Sequence, residues 1–259
     1  MWRNKTVSVI LPTYNERESI RQSIREFFAT GFVDEIIVVN NNAAPGTSEE
    51  IAGTGAREVV EKRQGYGYAI RRGLEEASGD LIIIAEPDGT FMGNDALKLL
   101  AYSDDFEVVF GTRTTSMLIW EGANMGWFLK WGNYIVAKMM EFLFNTTALT
   151  DVGCTMRLIH RPALRKIQDQ FSVGGSHFGV EMMCLVITNG LRFIEVPLNY
   201  RPRVGLSSVT GSKWKAFCLG WRMIFFILAH RLRTLGRAKK PPRPRAESSF
   251  TQADLSGER

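Results

Sequence analysis

The sequence predicts an α/β protein built on a mainly parallel sheet with helices on both faces. Three observations lead there. Short β-branched runs alternate with stretches of helical period. The run Leu81–Ala85 is apolar at every position, as a strand covered on both faces must be. The polar segments Thr13–Glu16, Asn40–Asn42 and Glu86–Thr90 each follow such a run. They therefore lie at the carboxyl ends of the strands, where open parallel sheets bind ligands, and three loops are expected to converge on one rim.

The elements follow in order. Val7–Leu11, stopped by Pro12, is the first strand. Behind the turn-and-cap sequence Thr13–Glu16, residues Ile20, Ile24, Phe27 and Phe28 recur at helical spacing until Gly31. Glu35–Val39 is a second strand, Asn40–Gly46 a polar loop and Thr47–Ala52 a helix start. Glu58–Glu61 reads as a short third strand, Gly67–Ser78 as a helix closed by Gly79, and Leu81–Ala85 and Val108–Phe110 as the fourth and fifth strands. Residues 113–135 read as loop and 134–144 as an amphipathic helix, while Leu158 opens a strand or a helix. Gly179–Asn189 is helical, Phe193–Val196 extended, Tyr200–Ser212 a basic loop and Lys213–Arg233 a last helix. The chain thus divides into a body over residues 1–212, an amphipathic helix over 213–235 and a basic, disordered tail over 236–259.

Composition narrows the function. With 45% hydrophobic and 23% charged residues, the 259-residue chain is neither disordered, collagen-like nor a disulfide-stapled miniprotein. Lys+Arg total 32 and Asp+Glu 27, a net charge of +5. Residues 231–259 hold eight basic and three acidic side chains, so the whole excess lies there and residues 1–230 balance. This excludes a broad nucleic-acid-binding face and fits a local attraction to an anionic surface such as a membrane. Three widely spaced cysteines with no C-x-x-C pair read as reduced thiols of a cytosolic protein. The apolar run before Pro12 is too short for a signal peptide.

Several segments could carry chemistry. Glu86-Pro87-Asp88, on a turn after a buried strand, places two carboxylates where they can share one divalent cation, magnesium or manganese. Arg63-Gln64-Gly65-Tyr66-Gly67, opening a helix, can bring backbone amides to an anion or can serve as a plain helix start. Its G-x-G-x5-G spacing is not a dinucleotide fingerprint. Pro12-Thr13-Tyr14-Asn15-Glu16 can stack on and hydrogen-bond a nucleobase, or cap a helix. Asp151, Arg157, His177, Glu181, Arg201 and Arg203 form a set of acids and bases suited to an acceptor site. In the last helix, fourteen residues between Lys215 and His230 carry only one charge, Arg222. That stretch is about 21 Å long, short of a hydrocarbon span of roughly 30 Å. With Trp214, Trp221 and basic flanks it suits a helix lying in a membrane interface, or one packed on the body.

In order, these segments resemble family 2 inverting glycosyltransferases, and within them the dolichyl- and polyprenyl-phosphate sugar transferases. The anchors are Val7–Glu16, Glu35–Val39 with its loop to Gly46-Thr47, Gly65-Tyr66-Gly67 to Gly73, Ala77–Asp80, the Glu86-Pro87-Asp88 turn, Gly111-Thr112-Arg113 and Asp151–Arg157. The resemblance implies the Rossmann-like GT-A fold, a nucleotide-diphosphosugar donor, and Mg2+ or Mn2+. It implies that Pro12, Tyr14, Glu16 and Asn40 line the nucleoside pocket and that Arg63 approaches the nucleotide or diphosphate. Asp88 would be the principal metal ligand, with Glu86 beside it. Arg113, Arg157, Arg201 and Arg203 would contact donor or acceptor phosphates. Two departures stand out: Asn40-Asn41-Asn42-Ala43 where the family reads Asp-Asp-Gly-Ser, and Glu86-x-Asp88 where it reads Asp-x-Asp. The expected reaction is sugar transfer with inversion to a polyprenyl phosphate, by an enzyme peripheral at the cytoplasmic face of a membrane. A transferase extending a cell-surface or exopolysaccharide glycan, and a non-catalytic nucleotide-sugar-binding subunit, remain as alternatives. A hydroxyl acceptor would need a base, for which Glu181 or Asp151 is the candidate.

Overall fold

The structure is a computed structural model that describes residues 1–205 and 213–235. Most of the basic loop's second half and the whole tail over 236–259 lie outside the described residues.

Among the described residues seven strands form one sheet: β1 (Val7–Thr13), β2 (Glu35–Asn40), β3 (Arg57–Val60), β4 (Leu81–Ile84), β5 (Val108–Thr112), β6 (Arg157–His160) and β7 (Phe193–Pro197). Their order is β3-β2-β1-β4-β6-β5-β7. β1 pairs in parallel with β2 and β4, β2 with β3, and β5 with β7. The sheet is therefore mostly parallel, as the sequence implies. Only β6 runs against its neighbours β4 and β5. The register pairs Thr13 with Asn40 and Ile10 with Ile84, so the loops after β1, β2 and β4 leave the sheet at one edge.

Among the described residues eight helices cover the sheet: α1 (Arg17–Phe28), α2 (Thr47–Ile51), α3 (Tyr66–Glu76), α4 (Ala96–Tyr102), α5 (Trp127–Phe144), α6 (Arg161–Ile167), α7 (Phe178–Thr188) and α8 (Lys213–Arg233). Alternate strand residues face opposite sides and build two cores. Ile10, Ile37 and Ile82 meet α3, α5, α6, α7 and α8 on one side. Val9, Leu11, Ile36 and Ile83 meet α1 and α4 on the other. From α8, Met223 and Ile227 are buried in the first core, and the helix packs against α5 and α7. Among the described residues no helix is long and apolar enough to cross a membrane.

Three elements differ from the sequence expectation. α5 starts at Trp127, not at residue 134, because its first two turns place Trp127, Phe128 and Trp131 outward and so lack an inward apolar stripe. α4 and α6, of seven residues each, were not anticipated; they are too short for periodicity to declare them. Pro162 in the first turn of α6 was the available signal. Leu158 belongs to a strand, and not to a helix start.

The contact between α3 and β1 depends on one glycine. A Cβ on Gly73 would run into Ile10 Cγ2 and come within 3.1 Å of Val39. Gly73→Ala is expected to cost roughly 1–3 kcal/mol through overpacking, read as a lowered midpoint in urea unfolding with an unchanged slope.

Candidate active site

A cavity of about 620 Å³ opens at the carboxyl edge of β1, β2 and β4. Its donor-side wall includes Pro12, Tyr14, Glu16, Asn41, Glu86 and Pro87. The three polar loops converge as the strand order requires.

The loop after β1 is organised by Glu16. Its Oε2 accepts from the Tyr14 amide at 2.7 Å and the Asn15 amide at 2.9 Å. The carboxylate thus folds the chain back over its own turn, and the Tyr14 ring stays 42% exposed at the mouth. After β2, the structure separates two neighbours. Asn40, expected at the base, turns aside: its Nδ2 donates to Glu58 at 2.7 Å and its Oδ1 accepts from the Ala43 amide at 2.8 Å. Asn41 instead borders the cavity. Its Nδ2 donates to the Glu61 and Arg63 carbonyls, and its Oδ1 accepts from the Gly65 amide at 2.8 Å. Sequence reasoning missed it because strand ends alternate in direction and the register was unknown.

Gly65 and Gly67 serve close packing. A Cβ on Gly65 would strike the Gly174 carbonyl oxygen, and one on Gly67 that of Val173. The Gly65 amide is already taken by Asn41, so the expectation that it approaches an anion is corrected. Arg63 lies away from the cavity, exposed, paired with Glu61 at 2.9 Å and stacked over Tyr68.

After β4, Asp88 is 1% exposed. Its Oδ1 accepts from the Thr90 amide at 2.9 Å and the Thr90 hydroxyl at 2.6 Å. Its Oδ2 accepts from Arg203 Nη1 at 2.6 Å. Arg203 Nη2 donates to Glu16 Oε1 at 2.7 Å, and its Nη1 lies 3.7 Å from Glu86. One guanidinium therefore draws together three carboxylates from the ends of β1 and β4. Burial, and next the Asp88 charge, push the Glu86 carboxyl up. Among the described residues no cluster of three or more metal-ligating side chains forms. Two carboxylate oxygens are what Mg2+ or Mn2+ takes from a protein when substrate phosphates and water complete its shell; Glu86 borders the cavity as such a ligand would, whereas Asp88 does not border it and would have to exchange its bond to Arg203 for the metal.

The remaining arginines separate. Arg201 turns away: it pairs with Glu26 at 2.8 Å and donates to the Gly89 and Phe91 carbonyls, clamping the turn after Asp88. Arg113 and Arg157 both border the cavity. Arg113 is held by Asp151 through two side-chain bonds of 2.8 and 2.9 Å, so Asp151 positions an arginine and is not free as a base. Glu195 on β7 fixes the Asp151 segment, accepting from the Thr150 amide at 2.6 Å and hydroxyl at 2.7 Å. Arg157 donates to the Gly179 and Cys154 carbonyls and lies over the Phe110 ring. It is 4% exposed, and no carboxylate pairs with it among the described residues. Burial lowers its basicity. The buried Tyr66 and Thr155 hydroxyls, whose residues also border the cavity, face each other and have no other hydrogen-bond partner among the described residues. Sequence reasoning did not nominate either.

Glu181 does not reach the cavity. Its carboxylate accepts from the Ser172 amide and hydroxyl and from the Val173 amide, tying down the segment on which Gly65 and Gly67 rest. The base role expected of it is corrected. His177 precedes α7 and packs its ring edge against Phe226. Cys154 and Cys184 are buried and all three thiols are free.

Two predictions follow from these supports. Asp151→Asn leaves the buried Arg113 uncompensated and is expected to cost about 3–5 kcal/mol in urea unfolding. Burial pushes the Glu195 carboxyl up to about 7, from an ordinary 4.5. A raised folded value favours the protonated form, so this group's contribution falls as pH rises from 4.5 through 7. Glu195→Gln is expected to gain Tm relative to the unsubstituted protein across that interval, compared in calorimetric scans at each pH.

Known proteins share this architecture. The chain is 29% identical over 231 residues to the low-salt glycan biosynthesis hexosyltransferase Agl6 of Haloferax volcanii, covering 87% of this chain and 54% of Agl6. It thus spans about half the length of that relative. It is 28% identical over 208 residues to an uncharacterized glycosyltransferase of Mycobacterium tuberculosis, covering 80% and 90% of the two chains. The fold matches crystal structures of glucosyl-3-phosphoglycerate synthase from Mycobacterium tuberculosis. One, in complex with Mn2+, UDP and glucosyl-3-phosphoglycerate, aligns with a TM-score of 0.68 at 18% identity, covering 88% and 80%. Another holds Mg2+ and UDP, at a TM-score of 0.69, 16% identity, and coverage of 88% and 79%. Residues 8–168, with all of β1–β6 except its first residue, match the family model described as glycosyl transferase family 2, and the chain belongs to that family.

Proposed function

We propose that the chain transfers a sugar from a nucleotide-diphosphosugar to a polyprenyl-type lipid phosphate, inverting the anomeric carbon, as a peripheral enzyme at the cytoplasmic face of a membrane. One observation carries the acceptor: Arg157, a buried cation with no carboxylate partner among the described residues, borders the same cavity as Glu86. A buried charge is costly unless an opposite charge joins it, and a phosphate monoester supplies one. The wall beyond Arg157 is apolar, formed by Leu129 and Val136 of α5 and Leu219 and Ile224 of α8.

At the donor end, Pro12, Tyr14 and Asn41 border the nucleoside and Glu16 shapes their loop. Asp88 and Glu86 would hold Mg2+ or Mn2+, which when bound would neutralise charge developing on the departing nucleotide diphosphate. Arg203 adds a second cation there, and Arg113 stands with Arg157 on the acceptor side. A phosphate oxygen is already anionic near neutral pH, so no residue has to remove a proton. This agrees with the engagement of Asp151 and Glu181 elsewhere. Arginines then act by placing the acceptor for attack opposite the leaving group.

Extension of a glycan is the second reading, favoured by the name of the Haloferax relative. A hydroxyl acceptor needs a base, and the carboxylates bordering the cavity, Glu16 and Glu86, belong to the donor end. Radiolabelled sugar recovered on lipid supports the first reading and sugar on glycan the second. Label on neither, with donor still bound, identifies a non-catalytic subunit. A thermal-shift panel of UDP-, GDP- and TDP-sugars with and without Mn2+ picks out the donor, since binding to the folded state raises Tm. Asp88→Asn is expected to abolish transfer and the Mn2+-dependent shift. Arg157→Met is expected to raise the KM for lipid phosphate by roughly 10- to 150-fold, the loss of about 1.5–3 kcal/mol for a charged hydrogen bond.

A further inference from the structure

The outer surface of α8 is built the wrong way round for a helix that meets water. Trp214, Phe217, Trp221, Phe225, Leu228 and Leu232 are all exposed, spaced by three or four residues, and so form one stripe along the helix. Successive rings of the first four touch, with centroids 5.8, 6.1 and 5.7 Å apart. The inward stripe of Met223 and Ile227 is separately buried, so the aromatic stripe is surplus to the core. The neighbouring helix α5 repeats the pattern, exposing Trp127, Phe128, Trp131, Ile135 and Phe142. An apolar face on this scale marks an interaction surface.

The surface is continuous with the cavity. Phe128 and Ile135 of α5, and Phe217 and Trp221 of α8, are exposed and at the same time border it. Gly132 and Gly220 also border it, one on each helix, and a Cβ on either would meet no atom within 4 Å. Where the cavity reaches the two helices, the two glycines leave an open slot.

Charge selects the occupant. α8 contains no aspartate or glutamate and carries Lys215, Arg222, Arg231 and Arg233 among its described side chains. Aromatic rings with basic neighbours and no acids are the make-up of a helix in the interface of an anionic membrane. We infer that the α5–α8 face docks on an anionic lipid surface. We infer further that the slot between Gly132 and Gly220 admits a lipid's hydrocarbon chain while its phosphate lies at Arg157. The docking stands on the surface alone; the occupied slot rests on the lipid-phosphate acceptor proposed above.

The full chain should float with vesicles of phosphatidylcholine and phosphatidylglycerol at physiological salt, and much less with phosphatidylcholine alone. Brominated acyl chains in those vesicles should quench its tryptophan fluorescence. Phe225→Glu with Leu232→Glu, neither bordering the cavity, should abolish both signals and leave Tm unchanged. Failure to float with either vesicle, or a stable dimer in light scattering that excludes vesicles, overturns the docking. For the slot, a polyprenyl phosphate with a photoreactive group on its chain should label residues 127–136 and 214–224. Gly132→Leu with Gly220→Leu fills open space, so the protein should stay folded and lose that labelling at least tenfold. Labelling elsewhere, or undiminished in the glycine variant, overturns the slot. Sugar transfer to polyprenyl phosphate without slot labelling sinks the slot and spares the acceptor reading. Slot labelling without transfer to that lipid does the reverse.

Discussion

Three carboxylates, Glu16, Glu86 and Asp88, meet at the ends of two adjacent parallel strands, and a cation between them is the condition of their being there. In this structure Arg203 supplies it, from a segment more than a hundred residues further along the chain. Burial first, and the neighbouring Asp88 charge next, raise the proton affinity of Glu86 in this corner. The sheet imposes the meeting, because β1 and β4 are hydrogen-bonded neighbours running the same way. Any positive group that enters this corner, metal or guanidinium, relieves the same repulsion. The donor end is thus organised by electrostatics as much as by shape.

The acceptor side depends on a strand that runs backwards. β6 is antiparallel to both neighbours, so it presents its first residue at the edge where the parallel strands present their last. That residue is Arg157. A reversed strand thereby brings a cation from the second half of the chain beside loops from the first. Support reaches Arg113 by a similar route, through Asp151 and then Glu195 on β7. The site is assembled from segments that only the sheet makes neighbours.

This explains what the sequence revealed and what it withheld. The apolar run Leu81–Ala85 and the alternation of strands and helices were enough for a mostly parallel sheet, because burial on both faces leaves a direct compositional trace. The turn Glu86-Pro87-Asp88 was legible for the same reason, as polar residues after such a run. Contacts set by register were not legible. Asn40 and Asn41 are chemically identical, and only the pairing of Thr13 with Asn40 decides which one faces the cavity. Asp151 and Glu181 were nominated as bases by residue type, yet both spend their oxygens on neighbouring donors. The start of α5 was hidden because outward aromatic residues break the inward periodicity that marks a soluble helix. The tail and the loop over 206–212 lie outside the described residues.

The sheet also divides the interior into two hydrophobic clusters that share the strands but no buried side chain. α1 and α4 pack on one, whereas α3, α5, α6, α7 and α8 pack on the other, which adjoins the cavity. Substitutions in distant, separately packed regions combine nearly additively. The α1–α4 side is consequently the place to engineer thermal robustness, since improvements there leave the helices around the cavity free to keep whatever looseness catalysis demands.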